Sequence, residues 1–209
     1  MEFSDLRNNF DKSRLLEKNL PDNPLKLLEV WLTDALNLNI PEFNAMVLST
    51  LNHNKPSSRV VLLKEINKND KLVFFTNYTS RKGAEISSNN FVAVNFFWNS
   101  LERQIRIEGK VSKTPRKVSS AYFNSRPVES RAGAIVSQQS KIINDIEKLR
   151  KEAKELLSRG IDLSVPVDWG GYQISPVYFE FWQGGTDRLH DRIVFKKNRN
   201  SWRIYRLAP

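Results

Sequence analysis

The chain has 209 residues with ordinary hydrophobic and charged contents, which predicts a globular protein with one sizeable core and disfavours a disordered or fibrous chain. It contains no cysteine, which excludes disulfides, thiolate catalysis and cysteine-ligated metal sites and is compatible with a reducing compartment. The net charge of +10 favours anionic partners and leaves nucleic acid, acidic lipid and phosphorylated small molecules open.

The positive charge is dispersed along the chain. The longest basic runs are pairs, such as Arg81-Lys82 and Lys196-Lys197, whereas a nucleic-acid-binding protein usually carries a basic run or an Arg-rich helix. The first ten residues contain acidic side chains and no apolar run, and no apolar window approaches the roughly 20 residues of a membrane span. We therefore expect a cytoplasmic protein that binds neither nucleic acid nor membrane.

The chain is predicted to begin with an arm and an amphipathic helix. Residues 1–22 mix charge with isolated apolar residues, which indicates an arm that is loosely held or mobile. Asn23 and Pro24 provide an N-cap and a first-turn proline, and apolar residues then recur at helical spacing over residues 25–36. No repeat or Gly/Ser linker divides residues 23–209, so they are predicted to form a single domain.

Short β-rich runs alternate with polar turns along most of the remaining chain. We predict strands at residues 46–51, 58–66, 71–77, 91–98, 103–111, 170–174, 177–182, 192–196 and 202–206. The first connections are too short for a crossover helix, so consecutive strands should pair antiparallel in a meander or barrel. A short helix capped by Ser80, and a helical stretch from Thr114 to about Leu157 broken by Pro127, accompany them. The predicted class is α+β, mainly β.

Several kinds of chemistry find little support in the sequence. The histidines are His53 and His190, and without cysteine they make a closed zinc site improbable, so no metal is expected. Neither G-x-G-x-x-G nor G-x-x-x-x-G-K occurs, so side chains must bind any phosphate. His190 adjoins Asp191 without a nucleophile-elbow motif, which makes a serine hydrolase a weak candidate.

A first candidate cluster surrounds the second predicted strand. Arg59 and Lys64 are five positions apart and face opposite sides of an ideal strand, so sharing a ligand needs a bulge or a strand end. Alone, they are more simply interpreted as solvated strand ends. A phosphate clamp becomes plausible because polar residues follow the next strand, where a helix N-terminus adds amide donors. These residues are Thr76, Ser80, Arg81 and Lys82.

A second cluster consists of Tyr122, Arg126 and Ser130, which recur at intervals of four residues. This spacing would align them on one helix face if Pro127 did not interrupt the helix. By spacing alone an ordinary exposed helix end is the favoured interpretation. The alternative is a second phosphate site at a helix end.

A third cluster lies around a Gly-Gly turn and contains Trp182, Arg188, His190 and Arg192. Arg188 and His190, two apart on the following strand, would lie on the same side, while the Trp182 ring offers a flat apolar wall. A planar anionic ligand suits this combination. Side chains that could contact the edge of a heterocycle are weaker individual candidates, namely Gln104, Gln139 and Ser140.

Seven motifs in sequence order together resemble the pyridoxamine 5′-phosphate oxidase family. They are RVVLLK, FFTNYTSRKG, LERQIRIEGKV, YFNSRPVESRAGAIVSQQS, WGGY, EFWQGGTDRLHDR and WRIYRLAP, and they span nearly all of residues 45–209. The resemblance implies an FMN-binding split β-barrel and a homodimer with the flavin at the subunit interface. It also implies oxidation of pyridoxamine or pyridoxine 5′-phosphate to pyridoxal 5′-phosphate, with O2 reduced to H2O2.

The resemblance also assigns residues to roles. The residues implied for FMN are Arg59, Lys64, Phe75, Thr76, Ser80, Arg81, Lys82, Gln104, Gln139, Ser140, Trp182 and Arg192. Those implied for the substrate are Lys64, Tyr122, Arg126 and Ser130 at its phosphate and Arg188 and His190 over its ring, the last two being the catalytic candidates. No general base stands out, so hydride transfer without a strong base is the working hypothesis.

Two positions depart from the family pattern. Phe75 stands where the family often has Tyr, and loss of a hydroxyl contact would remove about 1 kcal/mol. Gly83 stands where Ala is commoner, which should weaken the first helical turn slightly without functional consequence. Two alternatives remain open: another split-barrel FMN oxidoreductase, such as a flavin reductase, and a basic nucleic-acid-binding module with no bound chromophore.

Overall fold

The computed structural model describes residues 2, 9–160 and 163–209. These residues form five helices: α1 (Pro24–Asn37), α2 (Arg81–Ser88), α3 (Arg116–Ser125), α4 (Val128–Val136) and α5 (Ile146–Ser158). They also form nine strands: β1 (Ala45–Asn52), β2 (Lys55–Leu62), β3 (Glu65–Ile66), β4 (Leu72–Asn77), β5 (Phe91–Trp98), β6 (Arg103–Lys113), β7 (Trp169–Gln183), β8 (Asp191–Asn198) and β9 (Ser201–Arg206). Among the described residues, none of the helices has the length and apolar character that crossing a bilayer requires.

The strands form one sheet with the order β2-β1-β5-β6-β7-β4-β3, and β8 pairs with both β7 and β9. The pairs β3–β4, β4–β7, β7–β8 and β8–β9 are all antiparallel, as predicted. A simple meander is wrong, because β4 pairs with β7 instead of the next strand along the chain. Helix α2, which follows β4, makes the connection to β5 long enough that these two consecutive strands need not be paired.

The long strand β7 replaces two strands predicted at residues 170–174 and 177–182. Its first part pairs with β4 as far as Ile174, and its second part pairs with β8 from Tyr178 onwards. Pro176 lies between these two registers, where its missing N–H removes no hydrogen bond from either register. The proline therefore does not end the strand.

The strand predicted over residues 58–66 is interrupted in the structure. β2 ends at Leu62, and β3 contains only Glu65 and Ile66. Lys64 lies between them, and its backbone N–H donates to the carbonyl oxygen of Val73 at 2.8 Å. A strand end therefore separates Arg59 from Lys64, which is the condition predicted from the sequence for the two side chains to share a ligand.

Three helices occupy the predicted helical stretch, and the first break is at Pro127 as predicted. Pro127 precedes α4 with a φ of −50°, a conformation that proline adopts readily. A second break, which was not predicted, runs from Ser137 to the N-cap of α5, Asp145, whose side chain accepts from the N–H of Glu147. Gln139 lies in this loop and not on a surface helix.

The chain divides into two compact units, each assembled from separated segments. Unit 1 comprises residues 1–48, 93–109 and 176–209, and unit 2 comprises residues 49–92 and 110–175. Neither unit coincides with the arm and domain predicted at residues 1–22 and 23–209, and that division stays a prediction.

The core of unit 1 is built on helix α1. The Asn23 side chain accepts from the N–H of Leu25 and caps the helix as predicted, and Leu28 and Trp31 are buried. The Trp31 ring meets Phe181 edge to face at 5.2 Å between centroids. The Arg103 guanidinium also lies over the Trp31 ring, 4.6 Å from its centroid, so α1 is fixed by aromatic and cation-π contacts.

The described part of the predicted arm belongs to unit 1 and is anchored there. Leu15 is buried, and its N–H donates to Asp191 Oδ2 at 2.9 Å. Arg14 Nε donates to the same oxygen at 3.0 Å, and Arg206 pairs with Glu17 at 2.7 Å. Residues 14–17 are therefore tied to the last two strands of the chain.

Candidate functional site

Unit 2 contains a cavity of about 600 Å³, a size that suits a small-molecule ligand. Its walls come from the ends of β2 and β4 and from α2, α3 and α4. The predicted site residues that line it are Lys64, Phe75, Thr76, Lys82, Tyr122, Arg126, Ser130 and Gln139. Tertiary structure thus brings together members of the first two clusters, which the sequence separates by about 40 residues.

The cavity is electropositive. Lys64, Lys82 and Arg126 line it, and none of the lining residues within the described chain is acidic. An excess of positive charge in a concave site attracts anions and raises their local concentration. The side chains therefore suit a phosphorylated ligand.

Lys82 is buried against polar partners, with 8% of its surface exposed. Its Nζ donates to Thr76 Oγ1 at 3.0 Å and to Gln139 Oε1 at 2.9 Å. Burial, and after it the charge of Arg59, lower the pKa of Lys82 to about 8, while Glu85 acts in the opposite direction. The ammonium is thus mostly charged at pH 7 but titrates within an accessible pH range.

Arg126 follows the last residue of α3, and its guanidinium lies 5.0 Å from the centroid of the Trp169 ring. Burial lowers its pKa from the ordinary value. Its Nη1 is buried and has no hydrogen-bond partner among the described residues. Because an unsatisfied buried donor is unfavourable, an anionic acceptor in the cavity is a fitting partner for this guanidinium.

The second predicted cluster is assembled across the break at Pro127. Tyr122 belongs to α3, Ser130 belongs to α4, and Arg126 stands at the junction, yet all three line the cavity. The ordinary exposed helix end that spacing alone favoured is therefore wrong. The two short helices meet at the cavity and direct their polar side chains to it.

An aromatic wall completes the cavity. The rings of Phe75 and Tyr122 stack at 3.8 Å between centroids with an interplanar angle of 17°, and the nearly parallel Trp169 ring lies 5.8 Å from Phe75 and 6.2 Å from Tyr122. Gly171 is required here, because a Cβ would come within 2.5 Å of Thr114 Oγ1 and 2.9 Å of the Phe75 ring. The stack provides a flat apolar surface.

The start of α2 has the predicted cap. Ser80 Oγ accepts from the N–H of Gly83 at 3.3 Å and donates to the carbonyl oxygen of Asn77 at 2.7 Å. Arg59 and Arg81 both form ion pairs with Glu85, at 2.7 Å and 2.9 Å. Within the described chain, the predicted unit 2 residues that do not line the cavity are Arg59, Ser80, Arg81 and Ser140.

The third predicted cluster lies in unit 1, on the hairpin between β7 and β8. The rings of Trp182 and His190 are 4.7 Å apart, and Phe10 lies 5.8 Å from each. The N–H of Gly185 donates to His190 Nδ1 at 3.2 Å. A neutral His190 therefore carries its proton on Nε2, which is left as the donor.

The prediction that Arg188 and His190 lie on the following strand is wrong, because β8 begins at Asp191. Arg188 ends a short 3-10 turn, and both Asp187 and Arg188 have left-handed backbones, with φ of 54° and 62°. Two consecutive left-handed residues turn the chain, so strand alternation does not apply to this pair.

The other predicted residues of unit 1 lie on strands. Arg192 is on β8 and pairs with the buried carboxylate of Glu180, its Nε and Nη2 lying 2.9 Å and 2.7 Å from Oε1. Gln104 is half-buried on β6. Glu180 also accepts from Arg106 Nη1 at 2.8 Å.

Sequence reasoning missed two buried carboxylates that pair with predicted site arginines, Glu85 and Glu180. Glu85 carried a usable signal, since it follows Arg81 by four residues on a predicted helix, the spacing of an ion pair. The signal for Glu180 was weaker: it is a charged residue between two phenylalanines in a predicted strand. Its pairing with Arg192 depends on the β7–β8 register.

Comparison with protein families gives two matches. Residues 32–159 match the family described as pyridoxamine 5′-phosphate oxidase. Residues 169–209 match the pyridoxine 5′-phosphate oxidase C-terminal dimerisation region. Together the two matches cover most of the chain and both units.

Curated relatives match over the full length. A pyridoxine/pyridoxamine 5′-phosphate oxidase of Mannheimia succiniciproducens is 44% identical over 211 residues, covering 100% of both chains. One of Thermosynechococcus vestitus is 42% identical over 208 residues, covering 99% of this chain and 98% of the relative.

Solved structures share the fold. PhzG from Burkholderia lata, in complex with tetrahydrophenazine-1-carboxylic acid, has a TM-score of 0.89 at 31% identity, over 97% of this chain and 100% of PhzG. A pyridoxamine 5′-phosphate oxidase-related, FMN-binding protein of Nostoc punctiforme has a TM-score of 0.73 at 14% identity, over 91% of this chain and 100% of that protein. The predicted fold class, a mainly β split barrel with flanking helices, is confirmed.

Proposed function

The chain belongs to the pyridoxamine 5′-phosphate oxidase family, and we propose that it oxidises pyridoxamine or pyridoxine 5′-phosphate to pyridoxal 5′-phosphate with FMN, reducing O2 to H2O2. The observation that carries this proposal is the unit 2 cavity, which combines Lys64, Lys82 and Arg126 without an acidic lining residue in the described chain. Such a cavity suits phosphorylated ligands, and the full-length relatives carry the name of this enzyme. The setting we propose is the cytoplasm.

FMN is the cofactor we propose, because the chain offers donors for a phosphate and a flat wall for a ring. Bound flavin would accept two electrons from the substrate and pass them to dioxygen. The proposed FMN residues are those of the family resemblance, Arg59, Lys64, Phe75, Thr76, Ser80, Arg81, Lys82, Gln104, Gln139, Ser140, Trp182 and Arg192. The contacts of Lys82 with Thr76 and Gln139 support their common role.

The substrate phosphate is proposed to bind Lys64, Tyr122, Arg126 and Ser130, which all line one cavity. The unpaired buried Nη1 of Arg126 supports this assignment. An anchor of this kind uses the binding energy of a non-reacting group to hold the reacting carbon in position. These residues would therefore act mainly on substrate affinity.

Arg188 and His190 are the proposed catalytic residues and would orient the substrate ring. Arg188 is exposed, and His190 is half-buried with Nε2 available as a donor. Their proposed role is to fix the ring and adjust charge at the reacting carbon, in keeping with hydride transfer without a strong base. The surrounding Trp182 and Phe10 rings would limit how His190 moves.

A homodimer with FMN at the subunit interface is the proposed assembly. Residues 169–209 match a dimerisation region, and they contain Trp182, Arg188, His190 and Arg192. This arrangement would explain why candidate residues fall in two clusters, one in each unit. Sedimentation of the FMN-loaded protein at micromolar concentration tests it directly.

The decisive experiment is an assay of the FMN-loaded protein with each substrate in turn. Pyridoxal 5′-phosphate and H2O2 should form in equal amounts from pyridoxine 5′-phosphate, and ammonia should also form from pyridoxamine 5′-phosphate. Pyridoxine without phosphate serves as the matched control and should react poorly. A yellow protein that oxidises none of these compounds, yet reduces free flavin with a nicotinamide cofactor, would instead support the flavin reductase alternative.

A further inference from the structure

Glu85 is a buried carboxylate of α2, with 4% of its side chain exposed. Its Oε2 accepts from Arg59 Nη2 at 2.7 Å and from Thr50 Oγ1 at 2.5 Å, and its Oε1 accepts from Arg81 Nε at 2.9 Å. Burial raises the pKa of Glu85, but the hydrogen bonds from Thr50, Arg81 and Arg59 outweigh it and leave the pKa below its ordinary value. The group is therefore a carboxylate at neutral pH.

The two arginines held by Glu85 come from different elements. Arg59 belongs to β2, and Arg81 is the first residue of α2. Arg59 also donates to Ser57 Oγ at 2.7 Å, and its side chain is 18% exposed, whereas that of Arg81 is 63% exposed. Two guanidinium groups repel one another, and a shared carboxylate opposes that repulsion. Glu85 thus links a strand and a helix through charge.

We propose that Glu85 is a positioning residue, whose carboxylate holds the guanidinium groups of Arg59 and Arg81 in the orientation that binds the FMN phosphate. The inference rests on the proposed function, which assigns both arginines to FMN. Glu85 does not itself touch the phosphate, because its two oxygens already accept hydrogen bonds from unit 2 side chains and it is not a lining residue of the cavity. Its action passes through the arginines.

Charge alone predicts the opposite change in FMN affinity when Glu85 is neutralised, so the direction of that change tests the proposal. Removing a negative charge near an anion site should strengthen anion binding. If Glu85 instead orients the arginines, its loss weakens binding despite the more positive site, because the guanidinium groups lose their fixed geometry. The sign of the change in FMN affinity separates the two views.

The experiment compares Glu85→Gln with the wild-type apoprotein by titration of FMN and of riboflavin, followed by quenching of flavin fluorescence. We expect the Kd for FMN to rise about tenfold and the Kd for riboflavin, which lacks the phosphate, to stay unchanged. Glu152→Gln, an exposed charge change on α5, is the matched control and should alter neither Kd. Unchanged or tighter FMN binding overturns the proposal, and so does an equal loss of riboflavin affinity.

A second set of variants keeps the test decisive if Glu85→Gln folds poorly. Glu85→Asp retains the charge but is one methylene shorter, and it should also raise the Kd for FMN because it cannot reach both arginines. In a double-mutant cycle, Glu85→Asp should raise the Kd for FMN less in an Arg81→Ala background than in the wild type. If the effects of the two substitutions on the free energy of FMN binding are fully additive, the proposal is overturned. Failure of the wild-type protein to bind FMN would instead remove the proposed function.

Discussion

The cavity of unit 2 and the hairpin cluster of unit 1 differ in whether their basic side chains are paired with acidic ones. In unit 2, Lys64 and Arg126 line the cavity without an acidic lining neighbour among the described residues. In unit 1, Arg192 pairs with Glu180, and Asp191 pairs with Arg14 and Arg206. The first arrangement leaves positive charge for an anion, while the second uses charge to fix structure. Under the proposed function, the cavity of unit 2 would hold the substrate phosphate and the hairpin of unit 1 would orient the substrate ring.

Arg126→Ala should have the largest effect of the proposed variants. It tests whether the unit 2 cavity acts on substrate affinity. Loss of a charge-assisted contact with a phosphate removes about 3 kcal/mol, so KM for pyridoxamine 5′-phosphate should rise about a hundredfold with a smaller change in kcat. Steady-state kinetics measure both constants. Arg150→Ala, an exposed residue of α5, is the matched control. A fall in kcat at constant KM would assign Arg126 to orientation instead.

Gly83→Ala tests how rigidly α2 is held at the cavity. A Cβ at this position would lie 2.0 Å from the backbone oxygen of Tyr78, so the backbone must shift. We expect unfolding free energy to fall by about 2 kcal/mol in urea denaturation, although alanine is the better helix former. Gly133→Ala, whose Cβ meets nothing within 4 Å, should stabilise α4 by about 0.5 kcal/mol. A stabilised Gly83→Ala protein would contradict this contact.

His190→Ala and Arg188→Ala test the orienting role of unit 1. Both variants should retain bound flavin, and flavin reduction by the substrate should slow about tenfold, which corresponds to about 1.4 kcal/mol in the barrier. Stopped-flow absorbance of the flavin measures the rate. Leu189→Ala, an exposed residue between the two, is the control in the same loop. Unchanged reduction rates in both variants would remove these roles.

The pH dependence of FMN affinity should identify Lys82 as one source of positive charge. Its pKa is lowered to about 8, so the ammonium is charged below pH 8 and loses its charge as pH rises through that value. The Kd for FMN should therefore increase between pH 7 and pH 9, by up to about tenfold if only the charged form binds. Lys82→Arg keeps its charge over this range and should flatten the profile. An identical slope in that variant would point to another group.

Phe75→Tyr should have the smallest effect. The Phe75 ring already stacks on Tyr122 and lies 5.8 Å from the Trp169 ring, and an added hydroxyl can supply at most one hydrogen bond, worth about 1 kcal/mol. FMN binding should tighten by no more than about fivefold in a fluorescence titration. Weaker binding would mean that the stack has no room for the hydroxyl.

Much of the local structure could be read from the sequence because its causes lie within a few residues. The caps at Asn23 and Ser80 and the break at Pro127 depend on neighbouring backbone groups, and all three were predicted. The two strands predicted at residues 170–174 and 177–182 are one strand, β7, because its registers with β4 and β8 lie on either side of Pro176 and the proline interrupts neither. The left-handed turn at Arg188 was also not predicted from residue spacing.

The sequence by itself determined which side chains are suited to phosphate and, through its motifs, the fold class and the family. Only the tertiary structure brought Lys64, Lys82 and Arg126 to one cavity and paired Glu85 with Arg59 and Glu180 with Arg192. Caps and turns follow from contacts close in sequence, whereas these groupings require the closure of long loops and the packing of distant elements. Charge-bearing residues are thus visible in the sequence, and their partners are decided by the fold.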